Sequence, residues 1–393
     1  MMTHDKRQKL HADTRLIHDS NNNFSIVATP VYHASTVLFE SYEELQRISA
    51  NPADRGELYY GRMGTPTTRS LEDAISDLDD SAGALLSTSG LAATAEVLQC
   101  LLQPGDHLLM VDSCYGPTRN ICLQQLASHQ IETTFYPPTM GADIEKLVRE
   151  NTRLIYMESP GSATFEVQDV PAIVEVARQA GITTAIDNTW ATPLLFNPLD
   201  HGVDIAIQSG TKYLNGHADV MFGAITSRSE QLLKRLSTYK RTVGSHLAPD
   251  DSFLARRGLR TLSTRLERHQ QTGMALANWF LELPQTRQLL HPAFESCPGH
   301  QYFKRDFSGA NGLFAVVLEG ISPADLATLL NSLQLFGMGY SWGGFESLVL
   351  PMIYKRSTDG GSLGENHTLL RVHAGLENAN DLIADLERGF ALI

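Results

Sequence analysis

The sequence predicts an α/β protein in three parts. These are an N-terminal arm over residues 1–64, a large domain over 65–258 on a mainly parallel seven-stranded sheet with helices on both faces, and a smaller C-terminal α/β domain over 259–393. Three observations carry that expectation. Up to about residue 64 no hydrophobic period is sustained. Seven short apolar runs then alternate with amphipathic helical stretches, as strands joined by crossover helices do. Beyond about residue 258 one long helical stretch is followed by fewer, more widely spaced strands.

Along the chain, "NNNFSIVATPVYHAST" is rich in turn formers and reads as an extended arm. Regular helical spacing begins with "LEDAISDLDD". The apolar runs are "GALLST", "HLLMVD", "IETTFY", "RLIYMES", "ITTAIDN", "DIAIQS" and "FGAIT". Between them lie helices such as "VPAIVEVARQAG", with Gly181 placed to cap its C-terminus. "TLSTRLERHQQTGMALANWFLEL" is a long helix stopped by Pro284. A strand "GLFAVVLEG", a helix opened by Ser322-Pro323, strands near 346–350 and 369–373, and a final helix complete the smaller domain. No internal repeat or low-complexity segment interrupts this order.

Composition narrows the function. With 42% hydrophobic and 19% charged residues, a large core can be buried. A net charge of −13 argues against nucleic acid or an anionic membrane surface as a partner. Cys100, Cys114, Cys122 and Cys297 form no CxxC pair, which reads as reduced thiols in a cytoplasmic protein. The 14 histidines are scattered without ligand spacing, so no metal site is expected. The opening "MMTHDKRQKLHADTRLIHDS" lacks the apolar core of a secretion signal, and no run is long enough to span a membrane.

Ligands of parallel sheets bind at the carboxyl ends of the strands. Glu158, Asp187 and Lys212 all fall at such ends. A lysine delivered by the buried run "DIAIQSGTK" loses hydration unless its charge is paired or its amine serves chemistry. Asp187, ending "ITTAID", likewise needs a cationic partner. The pyridine nitrogen of pyridoxal phosphate would meet that need, with Lys212 forming the Schiff base and the Ser209 and Thr211 hydroxyls near the phosphate. A purely structural Lys–Asp ion pair explains the same two residues. In "STSGLAATAEVL", Ser89, Gly90 and Leu91 open a helix whose backbone N–H groups suit an anion, although an ordinary strand-to-helix turn looks the same. Tyr115 follows the next strand, where an aromatic ring can stack on a flat cofactor or simply fill the core. Tyr60 and Arg62, in "LYYGRMGTPTT", resemble a phosphate clamp. They sit in an arm with no evident route to their own sheet, which suggests donation to a neighbouring subunit or a solvent-exposed arginine. Arg371, in "LLRVHAGLEN", carries a fork that matches a substrate carboxylate. Tyr340, Ser341 and Trp342 form a glycine-rich loop that lines the same pocket or makes a surface turn.

Together "YGRMGTPT", "IDNTW", "SGTKYLNGHAD", "RRGLRTL" and "RVHAGLE" resemble the pyridoxal-phosphate-dependent enzymes of Cys/Met metabolism, the transsulfuration family of fold type I, over essentially the whole chain. "ESPGSATFEV", "YSWGG" and "LIADLERGFALI" match most closely the members that cleave cystathionine at Cβ. The resemblance implies Lys212 as the Schiff-base lysine and Asp187 as the partner of the ring nitrogen. It implies Tyr115 as the stacking ring, and Gly90, Leu91, Ser209 and Thr211 as the phosphate cup. Tyr60 and Arg62 would be lent by the adjacent subunit of a homotetramer of two tight dimers. Ser341 and Arg371 would bind the carboxylate, with Trp342 beside them. Ser162 stands where much of the family has asparagine, and Tyr340 where γ-acting members often carry glutamate. The implied reaction is β-elimination of L-cystathionine to homocysteine, pyruvate and ammonia, with Lys212 as base and Lys212 or Tyr115 returning a proton to sulfur. The rivals are a broader cysteine-S-conjugate β-lyase or cysteine desulfhydrase, a γ-lyase or γ-synthase, and a cofactor-binding regulator, for which the chain lacks a basic DNA-binding module.

Overall fold

The computed structural model describes residues 10–17, 26–51, 55–358 and 367–393. Of the stretch expected to be extended, residues 21–25 lie outside the described set, as do residues 1–9 and 18–20 of the polar opening; residues 26–36 form neither helix nor strand. The arm is less uniform than its sequence suggested. It holds a helix Ala12–Ile17 and a second, Tyr42–Ala50, whose first turn is capped by the Ser41 hydroxyl accepting from the Glu44 N–H.

The expected seven strands are present: β1 (Gly83–Ser87), β2 (His107–Val111), β3 (Glu132–Tyr136), β4 (Thr152–Glu158), β5 (Thr183–Asp187), β6 (Ile205–Ser209) and β7 (Gly223–Ser227). They form one sheet in the order β1-β7-β6-β5-β4-β2-β3. Neighbours from β3 through β2, β4 and β5 to β6 run parallel. β7 is antiparallel to both β6 and β1. β2 and β7 are buried at every position, as strands covered on both faces must be. Helix Pro66–Asp79 opens with a Thr65–Thr68 capping box, and helix Val170–Ala180 ends at Gly181 in the left-handed conformation, φ +66°.

Helix Leu262–Glu282 stops two residues before Pro284 and leads to a second sheet. Its strands β8 (Thr286–Leu290), β9 (Leu313–Leu318), β10 (Leu348–Met352) and β11 (Thr368–His373) take the order β10-β11-β9-β8, antiparallel throughout. β8 was not expected, because "TRQLL" has neither alternation nor a continuous apolar run. The two sheets are tied at the "IDNTW" turn: the Trp190 indole N–H donates to the Leu313 carbonyl at 2.9 Å and Asn311 Nδ2 to the Trp190 carbonyl at 2.5 Å. This link brings the carboxyl ends of β4, β5 and β6 under the loop that precedes β10.

Candidate active site

The polar continuation after β6 is a compact loop that fixes Lys212. The Asn215 N–H donates to the Gly210 carbonyl at 3.0 Å and the Gly216 N–H to the Lys212 carbonyl at 2.8 Å. Tyr213 is fully buried, and the buried Arg265 guanidinium donates to its carbonyl at 2.8 Å. A Cβ on Gly216 would lie 1.9 Å from that guanidinium, and the residue has φ +74°, so glycine is required there. The loop is thus braced from below, and Lys212 projects upward from a rigid base.

Lys212 Nζ is half-buried and donates to Ser341 Oγ at 2.6 Å. The Trp342 ring centroid lies 5.4 Å from the same nitrogen. No carboxylate forms an ion pair with Lys212 among the described residues. Burial, reinforced by the Arg371 charge and opposed by Asp187, pushes its amine down to about 8. The structural ion pair is therefore not what holds this lysine. Ser341 itself is in the left-handed region, φ +84°, which non-glycine residues seldom occupy, so the loop stores strain where it meets the amine. Arg371, on β11, is half-buried and donates through Nη2 to the Ser341 carbonyl at 3.0 Å and the Gly339 carbonyl at 3.4 Å. Nη2 is engaged in this way, and among the described residues the Nη1 and Nε donors have no partner.

Asp187 ends β5 directly beside Glu158, its register partner on β4. Burial raises the Asp187 carboxyl, while hydrogen bonds from Thr189 and the charge of Lys212 pull it down. The Thr189 N–H donates to Asp187 Oδ1 at 2.9 Å, and the Thr189 hydroxyl oxygen accepts from the Ser209 N–H at 2.7 Å. Thr189 was missed in the sequence, although it follows Asp187 by two positions. Glu158 Oε2 accepts from the Tyr115 N–H at 2.7 Å, and Oε1 from the Ser162 hydroxyl at 2.6 Å. Ser162, which stands where much of the family has asparagine, thus engages Glu158. The Tyr115 side chain is 48% exposed at the pocket mouth, where burial and the nearby Glu158 raise its phenol.

At the start of helix Gly90–Leu101, the Ser89 hydroxyl caps the Ala92 N–H at 3.0 Å, leaving the Gly90 and Leu91 N–H groups pointing off the helix end. A Cβ on Gly90 would fall 2.4 Å from Ser209 Cβ. That closeness forms a cradle between the helix end and the Ser209 hydroxyl. Thr211 departs from expectation. Its N–H and hydroxyl both donate to the Phe222 carbonyl, at 3.1 and 3.2 Å, and its hydroxyl oxygen accepts the Phe222 N–H at 3.0 Å, so this side chain closes the base of the loop. Tyr340 departs as well: it stands 86% exposed on the rim rather than lining the pocket, though close enough for its phenol to act on the Arg371 charge.

Tyr60 and Arg62 are not brought to Lys212 within this chain. The Arg62 guanidinium donates to the Arg241 carbonyl at 2.9 Å, and Tyr60 is 42% exposed. Arg62 lines a separate cavity of about 530 Å³ together with Arg55, Arg69, Lys240 and Arg241.

The model of the Cys/Met metabolism PLP-dependent enzyme family matches residues 13–391. The chain belongs to that family. Members of the Cys/Met metabolism family include the cystathionine β-lyase MetC of Escherichia coli, to which the chain is 40% identical over 97% of its own length and 98% of the relative's. The cystathionine β-lyase of Salmonella typhimurium is 39% identical with the same coverage. The solved cystathionine γ-synthase of Xanthomonas oryzae superposes with a TM-score of 0.87 at 29% identity, covering 97% of this chain and 98% of that one. As a member of the family the protein is a pyridoxal-phosphate-dependent enzyme. Its own residues fit that cofactor. A half-buried amine with no carboxylate ion pair among the described residues suits the aldehyde, a desolvated carboxylate 25 residues earlier suits a pyridinium, and the Gly90 cradle suits a phosphate. Among the described residues no group of three or more His, Cys, Asp or Glu side chains could hold a metal ion, and no helix is long and apolar enough to cross a membrane.

Proposed function

We propose that the protein is a carbon–sulfur lyase that cleaves L-cystathionine at Cβ, giving homocysteine, pyruvate and ammonia. The observation that carries this reading is the Lys212–Ser341–Arg371 chain: a base and a guanidinium both meet the Ser341 loop, and Arg371 keeps its Nη1 and Nε donors without a partner among the described residues. Arg371 binds the substrate α-carboxylate through charge-assisted hydrogen bonds. That contact fixes Cα next to Lys212 Nζ, and with an amine near 8 a sizeable neutral fraction exists at neutral pH to take the Cα proton. Bound pyridoxal phosphate supplies the ring that accepts the electron pair left at Cα. Asp187, oriented by Thr189, would pair its negative charge with the ring nitrogen of the bound cofactor. Gly90, Leu91, Ser89 and Ser209 hold the phosphate, and Tyr115 covers one ring face. As the Cβ–S bond breaks, Lys212 or Tyr115 returns a proton to sulfur. The released three-carbon enamine hydrolyses to pyruvate and ammonia.

In this reading residues 1–64 are an arm that reaches a neighbouring subunit, 65–258 the cofactor domain and 259–393 the domain that supplies Arg371. Tyr60 and Arg62 complete a neighbour's phosphate site in a cytoplasmic dimer of dimers. The test is a product assay on L-cystathionine. Pyruvate with homocysteine is expected; 2-oxobutyrate with cysteine would replace the reading with γ-elimination. Turnover of other cysteine S-conjugates at higher kcat/KM would move the substrate and keep the chemistry.

A further inference from the structure

Glu158 is not absorbed by the mechanism above, yet it is only 7% exposed and lies against Asp187 at the end of the neighbouring strand. Among the described residues no lysine, arginine or histidine forms an ion pair with it. The titratable groups around it are Asp187 on β5, Cys114 and Tyr115 in the turn after β2, Tyr156 on β4 itself, and Tyr354 from the segment after β10. The cations nearest this cluster, Arg119 acting on Cys114 and Tyr354 and Arg371 acting on Tyr115, form no ion pair with Glu158. Both carboxyls receive hydrogen bonds, Glu158 from Tyr115 and Ser162 and Asp187 from Thr189, but only Asp187 also has a cation, Lys212, acting on it. Two carboxylates this close and this dry cannot both ionise without a large electrostatic cost, and the one lacking a cation keeps the proton.

We propose that Glu158 is a positioning residue that remains a neutral acid, so that the pair carries one negative charge, on Asp187, while Glu158 anchors Tyr115 and Ser162. The inference rests on the cofactor assignment above. In the neutral acid, Oε2 still accepts from the Tyr115 N–H. The Oε1–H group donates across the 2.6 Å contact to Ser162 Oγ, reversing its direction. This gives Ser162 its place: a short hydroxyl accommodates the acid proton beside the turn that carries the stacking ring. Burial and Asp187 push the Glu158 carboxyl up to about 8, in agreement.

The sign of the pH effect follows. Glu158 in the unfolded chain ionises near its ordinary value, and in the fold only near 8. The native protein therefore loses stability as pH rises from about 4.5 to about 8, relative to a variant with no acid there. Difference infrared spectra of native apoprotein and Glu158→Gln at pH 7 should show a protonated-carboxyl band in the native protein only. The stability difference in favour of Glu158→Gln should grow between pH 5 and pH 8. Pyridoxal phosphate should bind Glu158→Gln within about threefold of native, because the amide keeps the acceptor for Tyr115. It should bind Glu158→Ala at least tenfold more weakly, since a lost buried hydrogen bond is worth about 1.4 kcal/mol or more. A carboxyl band equal in both proteins, or equal weakening by Gln and Ala, overturns the proposal. Should Glu158→Ala fail to fold, the infrared and pH comparisons with Glu158→Gln still decide. If the native protein bound no pyridoxal phosphate, the cofactor assignment would fall, while the apoprotein spectra would still locate the proton.

Discussion

Replacing Arg371 separates two effects that the structure places on one guanidinium. The Nη1 and Nε donors have no partner among the described residues, and a charge-assisted contact from them to a carboxylate is worth about 1.5–3 kcal/mol. The Nη2 donors hold the carbonyls of Ser341 and Gly339, and losing them releases the loop that carries Ser341 and Trp342, at about 0.5–1.5 kcal/mol more. Arg371→Ala should therefore lower kcat/KM by about 2–4.5 kcal/mol, roughly thirtyfold to two-thousandfold. The same cation also helps to hold the Lys212 amine near 8. In Arg371→Ala apoprotein that amine should titrate at higher pH, read from the pH dependence of its labelling by an amine-reactive reagent with peptide mapping. Arg371→Lys keeps the charge and lacks the fork: its kcat/KM should stay well below native while the Lys212 titration hardly moves. Identical Lys212 titration in Ala and Lys variants, or kcat/KM within threefold of native in Arg371→Ala, would refute this account of the pocket.

Gly90→Ala would force its Cβ to 2.4 Å from Ser209 Cβ and 2.8 Å from Ser209 Cα. The helix must then back away from β6, costing about 1–3 kcal/mol in denaturation and weakening pyridoxal phosphate binding by at least about tenfold in an equilibrium titration of the apoprotein. Asp79, far from the site, is fully buried with Oδ1 unpartnered, and burial lifts its carboxyl to about 7. In the unfolded chain it ionises near 3.8, so its cost grows between pH 4 and pH 7 and is constant above. Asp79→Asn should gain on native by up to about 4 kcal/mol between pH 4 and pH 8 in urea denaturation, and a pH-independent difference would discount the buried acid. Lys212→Ala and Arg62→Ala protomers, each poor alone, should recover about a quarter of native activity when refolded together, because half the dimers are mixed and each has one complete site. Mixed dimers seen by mass spectrometry without recovered turnover would place Arg62 in its own chain's site.

The parts of the fold legible in the sequence were those whose burial is simple. β2, β4, β5 and β6 read as continuous apolar runs because both faces of the large sheet are covered, and helix Leu262–Glu282 announced its end through Pro284. β8 was hidden because its first three residues, Thr286, Arg287 and Gln288, are polar or charged, and only Leu289 and Leu290 are buried. The Tyr42–Ala50 helix carried a sign, Ser41 with Glu44 three positions on, but it buries only Ile48, so hydrophobic spacing could not reveal it. Lys212, Asp187 and Arg371 were legible because each is a charge where the local pattern forbids one. Thr189 and Glu158 act by contacts across strands. Thr211 read as a phosphate ligand by proximity to Lys212, although the β6–β7 closure claims its hydroxyl.

What sequence spacing cannot supply is the destination of an arginine that leaves its own domain, and here charge pairing supports an answer. Around the cavity that Arg62 lines, Arg55 meets Glu72 and Asp73 and buried Lys240 meets Glu96 at 2.6 Å, while Arg69 donates to the Arg55 and Glu57 carbonyls and Arg241 to the Ser237 carbonyl. Arg62 meets no carboxylate among the described residues, only the Arg241 carbonyl. A guanidinium donates five N–H groups in a planar fork, and one carbonyl satisfies little of that capacity. The Gly90–Ser209 cradle proposed for the phosphate has the complementary shortage: it offers N–H groups and a hydroxyl, with no guanidinium among the described residues shown to meet it. A second copy of the chain that set Arg62 against this cradle would satisfy both. Each site would then depend on the seam between subunits, so dilution that separates the copies should release cofactor and activity together.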